Sequence, residues 1–444
     1  MLLQCLLSLT TVNNFWKSTF GFSFFTFISR VFGYLRDLTL AAFLGAGQIY
    51  DIFVVIFRIP NVFRSFFGEG AMAQSLVPSI IEAKENINNF LNQIFSLLLF
   101  SLLIFVGLAE VFPKLFVSLF APGFIYDEEK FLDATNFLRI VFPYILLISL
   151  TAFFGAIQNS RKIFQFVAAT PIFFNLSLIC FAFSFAELSL KVLGISILTA
   201  GLIQLILNFS VVAYFGIFPK LTLTFDREIL NSFFNKFIPA IFAAGVYQLN
   251  VLVDTIFASF LITGSPTWLY LSERLIQFPL GLFGVAVALV SLPNLTELFI
   301  QKDMKQISSH SFKILRVLFL MGFGCFLGAY FLGDYIIEIL FKRGEFSSFD
   351  VGMTFLALQG YAISLIFLLP QKYFNSLFFA ISKTNMVVYT GLLSLFANLI
   401  LNYYFIFTID LGHFGLALAT SISSIIVFFV SLYWLLSRKI LLAF

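Results

Sequence analysis

Residues 28–78 read ISRVFGYLRDLTLAAFLGAGQIYDIFVVIFRIPNVFRSFFGEGAMAQSLVP, and this stretch decides the fold. Its apolar residues are numerous enough for bilayer-length helices, yet Arg30, Arg36, Asp37, Asp51, Arg58, Arg64 and Glu69 are set among them. An ionised side chain at mid-bilayer costs at least about 2.5 to 3.5 kcal/mol. Seven charges in two neighbouring segments therefore face a water-filled cavity or one another rather than lipid.

The composition around this stretch agrees. Of 444 residues 60% are hydrophobic and 11% charged, and mean hydropathy is +1.01. A soluble domain has about 45 to 50% apolar and about 25% charged residues, so the bilayer is the solvent and the chain is an all-α polytopic membrane protein. Phenylalanine, at 66 residues, is read as replacing leucine on lipid-facing surfaces. With about 20 mainly apolar residues per crossing, the sequence predicts twelve spans. They cover 18–44, 49–69, 90–112, 135–157, 164–186, 192–216, 232–262, 267–295, 312–340, 351–379, 385–408 and 413–436. Loops such as 82–89, 159–162 and 301–311 are too short to build a soluble domain.

With the N-terminus inside, fourteen Lys and Arg residues fall on the cytoplasmic side and five on the other, so both termini are expected in the cytoplasm. The chain also repeats itself. Arg58, Gly68, Pro78 and Glu82 recur as Arg274, Gly284, Pro293 and Glu297 at an offset of 216 or 215. Two six-helix lobes follow, 1–218 and 219–444, and because six is even they are parallel repeats about the membrane normal. That arrangement is typical of alternating-access transporters with a site at the repeat interface.

The charges that lie well inside spans are mostly arginine: Arg30, Arg36, Arg58, Arg64, Arg139 and Arg274, against Lys372 alone among the lysines. A guanidinium is a rigid fork that pairs bidentately with phosphate or carboxylate and stays charged, which points to a central cationic cavity for a polyvalent anion. The alternative is that arginines neutralise buried acids. Arg30 and Asp37 share a helical stripe, as do Asp51 and Arg58, and Glu273 adjoins Arg274; Arg36 and Arg64 have no acid on their own stripe. Pro60, Pro279, Gly68, Gly70, Gly281 and Gly284 either bend helices that line a cavity or permit close packing.

Cys5, Cys180 and Cys325 lack paired spacing, and His310 and His413 belong to no catalytic motif. Neither a disulfide framework, a cofactor, nor nucleic acid as a partner is expected. No aspartate-rich metal motif supports a polyprenyl-phosphate transferase, and a scaffold for cell-wall synthases needs no cationic interior. The apolar stretch before Cys5 is too short for a cleavage signal, so the N-terminus is expected to be retained.

Four runs carry a resemblance: ISRVFGYLRD (28–37), FRIPNVFRSFFGEGAMAQSLVP (57–78), FPYILLISL (142–150), and TIFASF with WLYLSERLIQFP (255–279). In that order they resemble the MurJ (MviN) lipid II flippases of bacterial peptidoglycan synthesis, in the multidrug/oligosaccharidyl-lipid/polysaccharide exporter superfamily. The resemblance implies a non-enzymatic inner-membrane transporter of lipid II, an undecaprenyl diphosphate bearing a disaccharide-pentapeptide. A related exporter of drugs or other lipid-linked oligosaccharides is the alternative. It implies that Arg30, Arg36, Arg64 and Arg274 meet the diphosphate and that Asp51 is the essential acid of the second helix. Ser29 and Glu69 match portal positions, and Glu273 stands where aspartate is usual. A sodium site is implied between the seventh helix and the eleventh and twelfth; Asp254, Asn398 and Asn402 match it in part, with asparagine where a second acid is usual. Sodium or the membrane potential is then the driving force, with membrane lipids and cell-wall synthases as partners. Family members usually add two C-terminal helices for the polyprenyl tail, whereas this sequence reads to Phe444; if those helices only guide the tail, a twelve-helix protein is expected to flip lipid II with the tail projecting between the lobes near helices one and eight.

Overall fold

A computed structural model describes residues 15–64, 71–83, 86–301 and 303–441. The described residues are helical, with no strand among them. In lipid a helix satisfies every backbone donor and acceptor within its own segment, which is why apolar sequence of this length takes that form. The first helices are α1 (Phe15–Leu44), α2 (Gln48–Arg64), α3 (Ala71–Ala83), α4 (Ile87–Val111) and α5 (Pro113–Phe120). A 3-10 turn precedes α6 (Glu128–Val141), α7 (Tyr144–Ser160), α8 (Gln165–Ser184) and α9 (Leu190–Tyr214). Next come α10 (Arg227–Ala258), α11 (Ser265–Pro279), a π-helical turn (Leu280–Val285), α12 (Ala286–Ile300) and α13 (Met304–Phe341). The last are α14 (Ser348–Ala362), α15 (Ser364–Ala380), α16 (Thr384–Tyr403) with a π-turn at Tyr404–Thr408, and α17 (Gly412–Ser437).

Among the described residues eight helices are long and apolar enough to cross a membrane, and nine if the pair α14 and α15, bent by 46°, forms one span. These occupy nine of the twelve expected positions. The remaining three coincide with α1, α2 and α10, the first two of which carry the embedded charges.

The chain packs as two compact units, Met1–Leu44 with Val55–Gln248, and Gly45–Val54 with Leu249–Phe444. In the first, buried amides stitch three helices. Gln158 Nε2 donates to Asn208 Oδ1 at 2.9 Å, Asn208 Nδ2 to Thr170 Oγ1 at 3.0 Å, and Gln204 Nε2 to the Thr170 carbonyl at 2.9 Å. Such bonds and small residues, rather than hydrophobicity, hold helices together in lipid. The unit extends to Gln248 because α4 binds the segment leading into α10. Asn92 Oδ1, Ser96 Oγ and Gln93 Oε1 accept from the backbone N–H groups of Lys220, Thr222 and Asp226 at 2.7, 2.8 and 2.7 Å. Lys236 adds an ion pair to Glu82. Packing units and the sequence halves 1–218 and 219–444 are thus different partitions of the chain.

In the second unit α14 packs between α11, α13 and α17, and α15 lies against α12, α13 and α17. Close approaches use glycine: a Cβ on Gly360 would stand 2.8 Å from Ala417 Cβ, and one on Gly322 would stand 2.8 Å from the Leu365 carbonyl.

Candidate functional site

The candidate residues fall in both units. In the first, α1 presents Arg30 at its exposed face, where among the described residues it makes no hydrogen bond or ion pair. Six positions on, Arg36 is buried at 8% exposure. Its Nε and Nη2 both donate to Asp37 Oδ1, at 3.0 and 2.6 Å, and Nη1 donates to Asn175 Oδ1 at 3.0 Å. Arg36, which has no acid on its own helical stripe, thus takes its partner from the next residue in the chain. Adjacent helical residues ordinarily point apart, but the long arginine folds back onto its neighbour, and Asn175 on α8 fixes the third donor. The same amide donates to the Ser29 carbonyl at 3.3 Å, so Ser29 is held through its backbone. Arg30, seven residues before Asp37, is left outside this pair. Arg58 and Arg64 are half-buried on α2. Glu69, with Gly68 and Gly70, lies outside the described residues.

In the second unit Arg274 is half-buried on α11. Its Nη2 donates to the Tyr270 hydroxyl at 2.9 Å, and its guanidinium stands 5.0 Å from the centre of the Tyr270 ring. Tyr270 in turn meets Tyr50 edge-on, with centroids 6.3 Å apart. One turn of helix thus supplies an aromatic shelf on which the arginine plane rests. Glu273 accepts from Gln277 Nε2 at 2.8 Å.

Asp51 is fully buried. Its Oδ2 accepts from the Gly264 N–H at 2.7 Å, and its Oδ1 accepts from the Thr267 N–H at 3.1 Å and the Thr267 hydroxyl at 2.8 Å. A carboxylate there satisfies donors that the first turn of α11 leaves open and complements the positive end of the helix dipole. The turn requires Gly264, whose φ is +98° and where a Cβ would lie 2.4 Å from the Trp268 ring. In this conformation Asp51 is a capping residue, with no surface to offer a ligand.

A second polar cluster joins α10 and α16. Asp254 Oδ1 accepts from Asn398 Nδ2 at 3.0 Å and Asn402 Nδ2 at 2.8 Å, while Asn250 Oδ1 accepts from Asn398 Nδ2 at 3.2 Å. Asn398 and Asn402 are fully buried, and their Oδ1 atoms have no donor. A carboxylate and amide oxygens are hard ligands suited to an alkali or alkaline-earth cation, and two buried carbonyl oxygens without donors are what such an ion would satisfy. Among the described residues no cluster of three or more His, Cys, Asp or Glu could hold another metal.

Sequence reading missed several members of these clusters, among them Thr267, Asn175, Asn250 and Tyr270. Asn250 and Tyr270 stand one helical turn before Asp254 and Arg274, a spacing that would have found them. Asn175 had only its polarity in the apolar α8 to mark it.

A family model described as lipid II flippase MurJ matches residues 40–444. The probable lipid II flippase MurJ of Buchnera aphidicola subsp. Acyrthosiphon pisum is 34% identical over 438 residues, covering 96% of this chain and 84% of the relative. That of Vibrio cholerae is 34% identical over 430 residues, covering 92% and 80%. A solved structure of the lipid II flippase MurJ in an inward closed conformation superposes with a TM-score of 0.81 at 29% identity, covering 94% and 87%. An inward-facing MATE-family multidrug transporter of the MOP superfamily superposes with a TM-score of 0.73 at 12% identity, a likeness of fold alone.

Proposed function

The chain belongs to the lipid II flippase MurJ family, and on that premise we propose that it carries lipid II from the cytoplasmic to the outer leaflet of a bacterial inner membrane. It is a multi-pass transporter and makes no bonds. The polar head of lipid II cannot cross hydrocarbon unaided, whereas its polyprenyl tail is at home there. The protein's task is to shield the head while two six-helix halves, 1–218 and 219–444, exchange access across the membrane, with both termini in the cytoplasm.

The observation that carries the anion site is Arg274. Its guanidinium is oriented by Tyr270 rather than left to rotate, and a fork held in plane is suited to bidentate contact with a diphosphate. In the first unit Arg30, exposed and uncommitted among the described residues, is the candidate contact, and Arg58 and Arg64 on α2 are further candidates. Arg36 is held to Asp37 and Asn175, and it contributes field rather than an open fork in this conformation. Ser29, Glu69 and Glu273 are the further candidates that the family resemblance implies. Asp51 is a positioning residue that sets the start of α11, the helix bearing Arg274. Asp254, Asn398 and Asn402, with Asn250, would hold a sodium ion; the two buried amide oxygens without donors support that assignment. Such an ion would supply a positive charge beside the Asp254 carboxylate.

Expression in bacteria depleted of their own lipid II flippase tests the proposal. Restored growth with lipid II reaching the outer leaflet is the expected result. Continued lysis, with the protein present in the membrane at normal level, would overturn it.

A further inference from the structure

α15 carries five polar residues in close succession, and four of them are committed. Gln371 Nε2 donates to Ser431 Oγ of α17 and to Asn375 Oδ1, both at 3.1 Å, the Tyr373 hydroxyl to Ser311 Oγ of α13 at 2.9 Å, and Ser376 Oγ to the Ala288 carbonyl of α12 at 2.9 Å. The bonds to α12, α13 and α17 fix the rotation of the helix. The fifth residue is Lys372. It shares a face with Ser376 one turn later, so its stem is directed at the helix that contains Ala288. Among the described residues Lys372 makes no hydrogen bond or ion pair.

The backbone it meets is unusual. Between α11 and α12 the chain makes the π-turn Leu280–Val285, a distortion that occurs mostly as a single turn and frequently at functional sites. A Cβ on Gly284 would stand 3.4 Å from Lys372 Cγ and 3.3 Å from Leu280 Cδ1, so the lysine stem packs directly over this turn. Gly284 falls near the middle of the 36-residue helical run Ser265–Ile300. The lysine stem therefore passes that helix far from either of its ends.

A cation in a membrane span that is given no counter-ion is a costly arrangement unless a mobile anion completes it. Lysine suits that use: its ammonium is a compact point charge that can follow a moving partner, where arginine needs a fixed planar one. We propose that the Lys372 ammonium is a further cargo contact, receiving an anionic oxygen of the lipid II head group at its diphosphate or at a peptide carboxylate. The assignment rests on lipid II being the cargo and adds a second positive charge to the unit that carries Arg274.

Binding of lipid II and of undecaprenyl diphosphate to the purified full chain in detergent tests it. Lys372→Met keeps the stem and removes the charge. It is expected to weaken lipid II binding about tenfold, ~1.4 kcal/mol, with the thermal unfolding midpoint unchanged or raised, while Lys372→Arg stays within about threefold of the parent. A loss shared by both probes puts the contact at the diphosphate, and a loss confined to lipid II puts it at a carboxylate. Parental affinity of Lys372→Met for both probes would overturn the proposal. Lys372→Gln repeats the comparison should the methionine variant not fold. Arg274→Ala, titrated alongside, separates the two claims: if it weakens binding and Lys372→Met does not, only the Lys372 contact falls. If neither variant weakens binding, the anion site falls with it.

Discussion

Arg274 and Asp51 show how differently two embedded charges are used. Arg274 lies over the Tyr270 ring and donates to its hydroxyl, whereas Asp51 turns both oxygens onto backbone and hydroxyl donors 213 and 216 positions away in the chain. Arg274→Lys keeps the charge and loses both the shelf and the fork. A charge-assisted bond is worth about 1.5 to 3 kcal/mol, so lipid II binding should fall about ten- to a hundredfold, and complementation under flippase depletion should fail nearly as badly as with Arg274→Ala. Full rescue by lysine beside failure by alanine would leave only a requirement for charge. Asp51→Ala leaves two buried N–H groups without an acceptor and is expected to cost about 2 to 3 kcal/mol of stability. Thr267→Val, which removes a single bond, should cost about 1 kcal/mol; thermal unfolding in detergent gives the order. A midpoint as high for Asp51→Ala as for the parent would remove its capping role. That these charges matter was legible in the sequence, because charge inside apolar sequence needs a reason. What they touch was not: Arg36 found its acid at the next residue and Asp51 found α11, outcomes set by tertiary packing and invisible to helical periodicity.

At the scale of helices, glycines decide how closely neighbours approach, and α13 offers a matched pair. A Cβ on Gly322 would stand 2.8 Å from the Leu365 carbonyl and 3.0 Å from Ile366 Cα, both backbone atoms of the α14–α15 bend region that cannot rotate aside. A Cβ on Gly324 would meet nothing within 4 Å. Gly322→Ala should therefore separate α13 from α15 at a cost of about 1 to 3 kcal/mol, while Gly324→Ala should leave stability unchanged or raise it by up to about 1 kcal/mol through helix propensity. Equal melting temperatures for the two variants would contradict this packing. The helices themselves were the most legible level, since nine apolar runs, counting the bent pair as one, reappear with limits no more than eight residues from those expected. The π-turn at Leu280–Val285 was only half legible. Pro279, Gly281 and Gly284 announced a disturbance of the helix, but its type depends on what packs against it, and Lys372 comes from α15.

For the molecule as a whole, the positive-inside bias and the number of crossings meet at one pair of helices. α14 and α15, of 15 and 17 residues, are bent by 46°. If they form one broken span, the segments before and after them lie on opposite sides of the membrane; if they form a re-entrant loop, both lie on the same side. A deflection of 46° leaves the second helix travelling onward, whereas re-entry requires a reversal. At 1.5 Å per residue the pair is about 50 Å long, ample for a hydrocarbon core of about 30 Å. Lys342 and Arg343 belong to the smaller set of outer charges, and Lys383 to the larger cytoplasmic set. In a chain whose Cys5, Cys180 and Cys325 are replaced by serine, Glu345→Cys should react with a membrane-impermeant maleimide in intact cells. Ser382→Cys, on the exposed turn after α15, should react only after permeabilisation, as should Lys162→Cys between α7 and α8. Labelling of positions 345 and 382 together in intact cells would make the pair re-entrant, shift every later crossing to the opposite sense, and overturn the parallel relation proposed for the two halves.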